Sequence, residues 1–327
     1  MLKMNEIVEI KRYSNFFKIS WKMTNWCNYR CPYCYMSSSV KQAKFTSEEY
    51  LLNIANKLDS IIEKQAKDRP VCLHLIGGEV GYFDLIKILK CIKSENLKLV
   101  IIVTNFSNSL NYWKKISSYL KKRNCELRIS ASLHLEQCNI EEFLKKAKIM
   151  SKEVRIKCVI NDSNVNKYKE LFTQNLLNNL QIQPTLERDT NNKNSLVSKE
   201  TKEYIDYLNG FLDKKMKPYY VVKTKDGKEH VFYSNIEMIN NIENGGLDPE
   251  GFKCTAGLDG LRINIDGTLR RAGCQWCGKQ ENWLGDLITG EYILPTEPIV
   301  CHTTIQHKFL GERHRYCTAF GNMSIFK

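Results

Sequence analysis

The sequence of 327 residues has no run approaching the roughly 20 uninterrupted apolar residues of a membrane span, which excludes a spanning helix. Its opening stretch, MLKMNEIVEIKRYS, lacks an apolar signal segment, so the chain is expected to be cytoplasmic and to have no membrane partner. There is no internal repeat, no low-complexity tract and no long Pro/Gly linker, which argues against a solenoid or a string of tethered modules. An apolar fraction of 43% is ordinary for a globular core, and the length allows one sizeable domain and a smaller one.

The charge is unbalanced, with 49 Lys and Arg against 36 Asp and Glu, a formal excess of +13. Clustered cations would hold nucleic-acid phosphates, but the basic runs are short, and Lys121, Lys122 and Arg123 fall where a helix end is expected. The excess therefore reads as a solvated surface, and nucleic acid is disfavoured as a partner. Thirteen cysteines without an export signal argue for free thiols serving metal binding or catalysis rather than a disulfide scaffold. Cys72, Cys91, Cys125, Cys138 and Cys158 are scattered among apolar neighbours and read as small buried hydrophobes.

Between residues 17 and 215, β-rich runs alternate with amphipathic helical stretches, the pattern of β/α units on a parallel sheet. Strands are expected at Phe17–Met23, Val71–Ile76, Lys98–Thr104, Cys125–Leu133, Val154–Ile160 and Gln181–Leu186. About 16 residues precede the first of them. Thr46 with Glu49 and Asn139 with Glu142 form capping boxes, and a last helix starts near Ser198. Beyond residue 215 the periodicity changes to hairpins at Asp226-Gly227 and Asp266-Gly267. The fold class expected is α/β: a partial (β/α)6 TIM-type barrel over 1–215, followed by a small hairpin-containing, cysteine-rich domain over 216–327.

Directly after the first of these strands lies Cys27-Asn-Tyr-Arg-Cys31-Pro-Tyr-Cys34-Tyr35. Three thiolates on one short loop suit a cubane cluster with one iron corner left open, whereas structural zinc requires a fourth ligand that is not nearby. With Tyr33 before the last cysteine and Gly77-Gly78-Glu79 at the end of the next strand, this loop resembles the signature of the radical S-adenosylmethionine (radical SAM) superfamily. The resemblance implies a 4Fe-4S cluster on Cys27, Cys31 and Cys34. It implies S-adenosylmethionine chelating the open iron, and the Gly-Gly-Glu motif holding the methionine amine. It also implies contacts to the ribose or carboxylate from Asn105, Ser132, His134 and Lys157, while Glu187 and Arg188 are candidate catalytic residues at the barrel mouth. The chemistry implied is reductive cleavage to a 5'-deoxyadenosyl radical that abstracts a hydrogen atom, driven by a one-electron reductant such as flavodoxin or ferredoxin.

Cys254, the Asp266-Gly267 hairpin, Cys274, Cys277, Cys301 and Cys317 resemble the SPASM and twitch auxiliary-cluster domains of that superfamily. Five cysteines imply one auxiliary 4Fe-4S cluster, with Cys254, Cys274, Cys301 and Cys317 favoured as ligands and Cys277 as the spare. Cys274-x2-Cys277 also suits a zinc knuckle, and His302, His307 and His314 read as surface or hydrogen-bonded residues. The function expected is an oxidation or epimerisation of a small-molecule, carbohydrate or peptide substrate. The alternatives are a peptide-modifying, cross-linking maturase and a basic zinc-binding nucleic-acid protein.

Overall fold

The structure is a computed structural model that describes residues 2–12, 15–34, 46–186, 197–213, 220–232, 252–271, 282–300 and 323–325. The chain divides into two compact units, one formed by Met1–Trp21, Asn56–Leu73 and Lys217–Lys327, the other by Lys22–Ala55 and His74–Met216. Strands β2 (Phe17–Thr24) and β3 (Val71–Gly77) and the helix Glu48–Ala66 run through both.

The second unit is an α/β layer in which hydrogen-bonded order follows chain order: β2, β3, β4 (Leu97–Thr104), β5 (Glu126–Leu133), β6 (Val154–Ile160) and β7 (Gln181–Leu186). The pairs from β4 to β7 are parallel, with Ser132 opposite Lys157 and Lys157 opposite Gln183. These six strands are the six expected, with ends displaced by no more than a residue. Helices connect them: Leu85–Cys91, Leu110–Lys122, Ile140–Ile149, Val165–Leu171 and Gln174–Asn179, with Lys199–Asp213 after β7.

Local chemistry sets the helix ends. Asn139 Oδ1 accepts from the Glu142 N–H at 3.0 Å, as the capping box requires. At the helix Glu48–Ala66 the cap is Ser47, whose Oγ accepts from the Tyr50 N–H at 3.2 Å, one residue later than expected for Thr46. Lys121 and Lys122 close the last turn of Leu110–Lys122, where cations complement the helix dipole. The basic run is thus a helix terminus.

The two faces of β5 and β6 differ. Leu127, Ile129, Leu133, Val154, Ile156 and Ile160 are buried, whereas Ser132, Arg155 and Lys157 on the alternate face are only half-buried. A parallel sheet covered on both faces would be apolar throughout. Here one face carries the core and the other is polar, unlike the packed interior of a closed β/α barrel.

The first unit holds an antiparallel sheet of order β14-β10-β15-β1-β8-β9, from β1 (Ile7–Arg12), β8 (Tyr220–Thr224), β9 (Glu229–Phe232), β10 (Phe252–Cys254), β14 (Ile299–Val300) and β15 (Met323–Ile325). β1 is a correction to the sequence reading, which placed no strand before Phe17. Ile7 and Ile10 are buried, and β8 and β15 flank the strand. Both hairpins form, β8–β9 across Asp226-Gly227 and β11 (Gly260–Ile263) with β12 (Thr268–Arg270) across Asp266-Gly267. β11 pairs in parallel with β2, and β13 (Trp283–Asp286) pairs with β12.

Arg69 ties this unit together. Its Nη1 lies 2.7 Å from Asp259 Oδ1, its Nη2 donates to the Leu258 carbonyl, and its guanidinium stands 5.4 Å over the Phe17 ring. Arg69→Met is expected to lower unfolding free energy by about 2 kcal/mol, because the part-buried charge-assisted pair with Asp259 and the bond to the Leu258 carbonyl are lost together. Urea unfolding measures this, and a change below about 0.5 kcal/mol contradicts it.

Candidate active site

Strand ends of the second unit supply the site. At the end of β2 the Thr24 carbonyl accepts from the Gly78 N–H at 2.8 Å, and the Trp26 carbonyl accepts from the Glu79 N–H at 2.7 Å. The Thr24 hydroxyl accepts from the Trp26 N–H at 2.9 Å, closing the turn between them. A Cβ on Gly77 would stand 2.5 Å from the Thr24 carbonyl oxygen, and one on Gly78 2.0 Å from that of Trp26. The glycines therefore admit main chain against main chain, and what approaches them is the segment leading into Cys27.

Cys31 is buried, Cys27 and Cys34 are half-buried, and all three are free thiols. The Cys34 N–H donates to the Cys31 carbonyl at 3.2 Å, turning the loop back on itself. Burial, reinforced by charge on Cys34 and Cys27, pushes the Cys31 thiol up to about 12. Cys27 is also raised by burial, against the Tyr29 N–H that donates to its sulfur at 3.4 Å. Thiols so placed within one another's electrostatic reach resist ionisation alone, and a metal that shares their charge removes the penalty. Among the described residues no three His, Cys, Asp or Glu side chains gather around a single-ion position. A set of sulfur donors only, spaced along one loop, suits a cluster that takes one thiolate per iron.

Glu79 is 2% exposed, and its carboxylate faces the protein. Oε1 accepts from the Gly81 N–H at 2.7 Å and the Thr104 hydroxyl at 2.6 Å, and Oε2 accepts from the Asn105 N–H at 2.6 Å. Burial raises its pKa, and the three donors oppose that shift. It joins the ends of β3 and β4. Asn105 then reaches the cysteine loop, its Nδ2 donating to Asn28 Oδ1 at 2.7 Å and to the Cys27 sulfur at 3.8 Å.

From the end of β5 the segment 134–138 meets the same loop. Gln137 Oε1 accepts from the Arg30 N–H at 3.2 Å. The Tyr33 hydroxyl donates to Glu136 Oε2 at 3.2 Å and lies 3.1 Å from His134 Nδ1. Tyr33 has one proton to give, so with Glu136 as a carboxylate it is His134 Nδ1–H that donates to the tyrosine oxygen, leaving Nε2 unprotonated. Burial lowers His134 to about 4, with Glu136 opposing. Cys138 is half-buried beside this network, where its charge would raise Tyr29 and Tyr33, so it is not the simple core residue expected.

The structure thus brings together Cys27, Cys31, Cys34, Tyr33, Gly77, Gly78, Glu79 and Asn105. Ser132 and Lys157 lie side by side on the polar face of β5 and β6. Glu187, Arg188, Cys274, Cys277, Cys301 and Cys317 lie outside the described residues. Cys254, on β10, is 1% exposed, opposite Ile299 of β14. Sequence reasoning missed Asn28, Gln137 and Glu136, because exposed polar residues in loops carry no periodic signal.

No protein-family model and no curated protein matches the chain. Solved structures do. Native anSMEcpe with bound AdoMet aligns at a TM-score of 0.50 with 15% identity, covering 92% of this chain and 83% of that one. The same protein with bound AdoMet and Kp18Cys peptide aligns at 0.50 and 15%, covering 91% and 82%. Streptococcus suis SuiB bound to S-adenosylmethionine aligns at 0.49 and 15%, covering 85% of this chain, which spans 64% of the SuiB chain. The likeness to anSMEcpe is one of fold. It is the α/β fold of successive strand-helix units that the alternation along residues 17–215 led one to expect.

Two outcomes follow from this geometry. Gly78→Ala is expected to destabilise the protein by more than about 3 kcal/mol, since its Cβ meets a backbone oxygen that no side-chain motion can relieve. Chemical denaturation checks this, and near-wild-type stability would contradict it. His134 is depressed from an ordinary 6.5 to about 4, so its contribution is fully present above pH 6.5 and is lost as pH falls through about 4. The loss should reach about 3 kcal/mol, and His134→Gln should flatten that part of the stability profile.

Proposed function

We propose that this chain is a radical SAM enzyme that holds a 4Fe-4S cluster on Cys27, Cys31 and Cys34 and binds S-adenosylmethionine at its open corner. The observation carrying this reading is the sulfur-only loop at the end of β2, packed backbone to backbone on Gly77 and Gly78. The AdoMet bound in the anSMEcpe structure, whose fold this chain shares, supports it.

When bound, the cluster supplies one electron to the sulfonium, whose carbon-sulfur bond breaks to release methionine and the 5'-deoxyadenosyl group as a hydrogen-abstracting radical. The protein's own residues orient and shield. Gly77 and Gly78 seat the loop, Glu79 locks β3 to β4, and Asn105 and the Tyr29 N–H donate to the Cys27 sulfur. Tyr33, held by Glu136 and His134, keeps its ring beside the loop. Ser132 and Lys157 offer polar contacts from β5 and β6 to the cofactor or substrate.

The substrate is read as a small molecule, carbohydrate or peptide, and the reaction as an oxidation or epimerisation. The Kp18Cys peptide in anSMEcpe supports a peptide among these. Residues 216–327 form the auxiliary iron-sulfur domain in this reading, with ligands drawn from Cys254, Cys274, Cys277, Cys301 and Cys317. A flavodoxin- or ferredoxin-type protein would deliver the electron.

Anaerobic purification should give brown protein with iron and sulfide near about eight of each per chain. Cys27→Ala, Cys31→Ala and Cys34→Ala are each expected to abolish reductive cleavage of S-adenosylmethionine, while Cys254→Ala retains some cleavage and loses substrate turnover. Unchanged cleavage in the first three variants, or colourless protein carrying zinc and no iron, overturns the assignment.

A further inference from the structure

Phe106 follows Asn105 with φ of 59°, in the left-handed region, although it is bulky and fully buried. A residue of this kind keeps such a conformation only where its surroundings over-determine it. Trp113 and Phe143 pack its ring at centroid distances of 5.3 and 5.5 Å. The polar restraint comes from Lys146, 6% exposed on the helix Ile140–Ile149.

Lys146 Nζ donates to the carbonyls of Phe106 and Asn108, each at 2.9 Å, and lies 3.2 Å from Glu142 Oε1. It also stands 5.3 Å over the Phe106 ring. Three N–H donors therefore meet three acceptors, which is what keeps a cation at that depth. The two carbonyls bracket the turn that leaves β4. Inside that turn Asn105 Oδ1 accepts from the Ser107 N–H at 3.0 Å, and its Nδ2 is aimed at Asn28 and the Cys27 sulfur.

We propose that Lys146 is a positioning residue for the cluster loop: by clamping the left-handed turn at Phe106 it holds the Asn105 amide on the Cys27 sulfur. This rests on the iron-sulfur reading of the loop. Cys27 is the ligand that receives two N–H donors, from Tyr29 and Asn105. Hydrogen bonds to a cluster sulfur stabilise the extra negative charge of the reduced state and make its potential less negative. Lys146 touches no reacting atom and acts only through Asn105.

The test compares anaerobically reconstituted wild-type, Asn105→Ala, Lys146→Met, Lys146→Arg and the Asn105→Ala/Lys146→Met double variant. The midpoint potential of the loop cluster is titrated without S-adenosylmethionine, in a Cys254→Ala background that removes the auxiliary signal. Asn105→Ala and Lys146→Met should both shift it to a more negative value, and Lys146→Arg should restore it. The double variant should shift no further than Asn105→Ala alone, an outcome that general destabilisation would not give.

A potential unmoved by Asn105→Ala overturns the inference even if Lys146→Met fails to fold. Additive shifts in the double variant overturn it as well. Wild-type protein with no iron-sulfur absorption overturns the reading of the loop, whereas a wild-type cluster indifferent to Asn105 overturns this inference alone.

Discussion

Everything at the site depends on a contact between two stretches of main chain. The Thr24 and Trp26 carbonyls accept from the N–H groups of Gly78 and Glu79, at separations that leave no room for a Cβ at 77 or 78. Backbone hydrogen bonds are directional and short, so they set the path of the chain into Cys27 more tightly than side-chain packing would. Glu79 extends the restraint from β3 to β4 by gathering three donors on one buried carboxylate. Removing one oxygen acceptor there would leave a buried N–H or O–H unsatisfied.

The rest of the site is layered outward from that contact. Asn105 and the segment 134–138 approach the cysteine loop from the ends of β4 and β5. Each partner is uncharged or singly charged and reaches the loop by hydrogen bonds rather than by ion pairs. Two carboxylates nonetheless lie within electrostatic reach, Glu79 raising Cys27 and Glu136 raising Cys31, so a metal bound there would offset their charge as well as that of the thiolates.

Much of this was legible in the residues. The alternation of Val-Arg-Ile-Lys-Cys-Val-Ile in β6 and the Asn139–Glu142 cap announce their elements through short-range physics, and the structure agrees. The cysteine spacing and Gly-Gly-Glu announce a site. What was not legible depends on contacts between residues distant in sequence. That the chain 50 or so residues earlier lies against Gly77 and Gly78 could not be read from either segment alone. Cys138 reads as a small apolar filler because nothing local says that the segment after β5 meets the cysteine loop that follows β2. Ile7–Arg12 reads as an opening tail because a six-residue run is a strand only when neighbours such as Tyr220–Thr224 are supplied.

That last strand bears on how the molecule is made. During synthesis strands β2 to β7 have all been made before Tyr220–Thr224 emerges, and Met323–Ile325 comes later still. Until then the edges of Ile7–Arg12 present unpaired amides to solvent, with Ile7 and Ile10 lacking cover. A nascent chain in that interval is open to strand exchange with another copy on the same message. Slower translation would prolong the exposure, and overproduction would punish it.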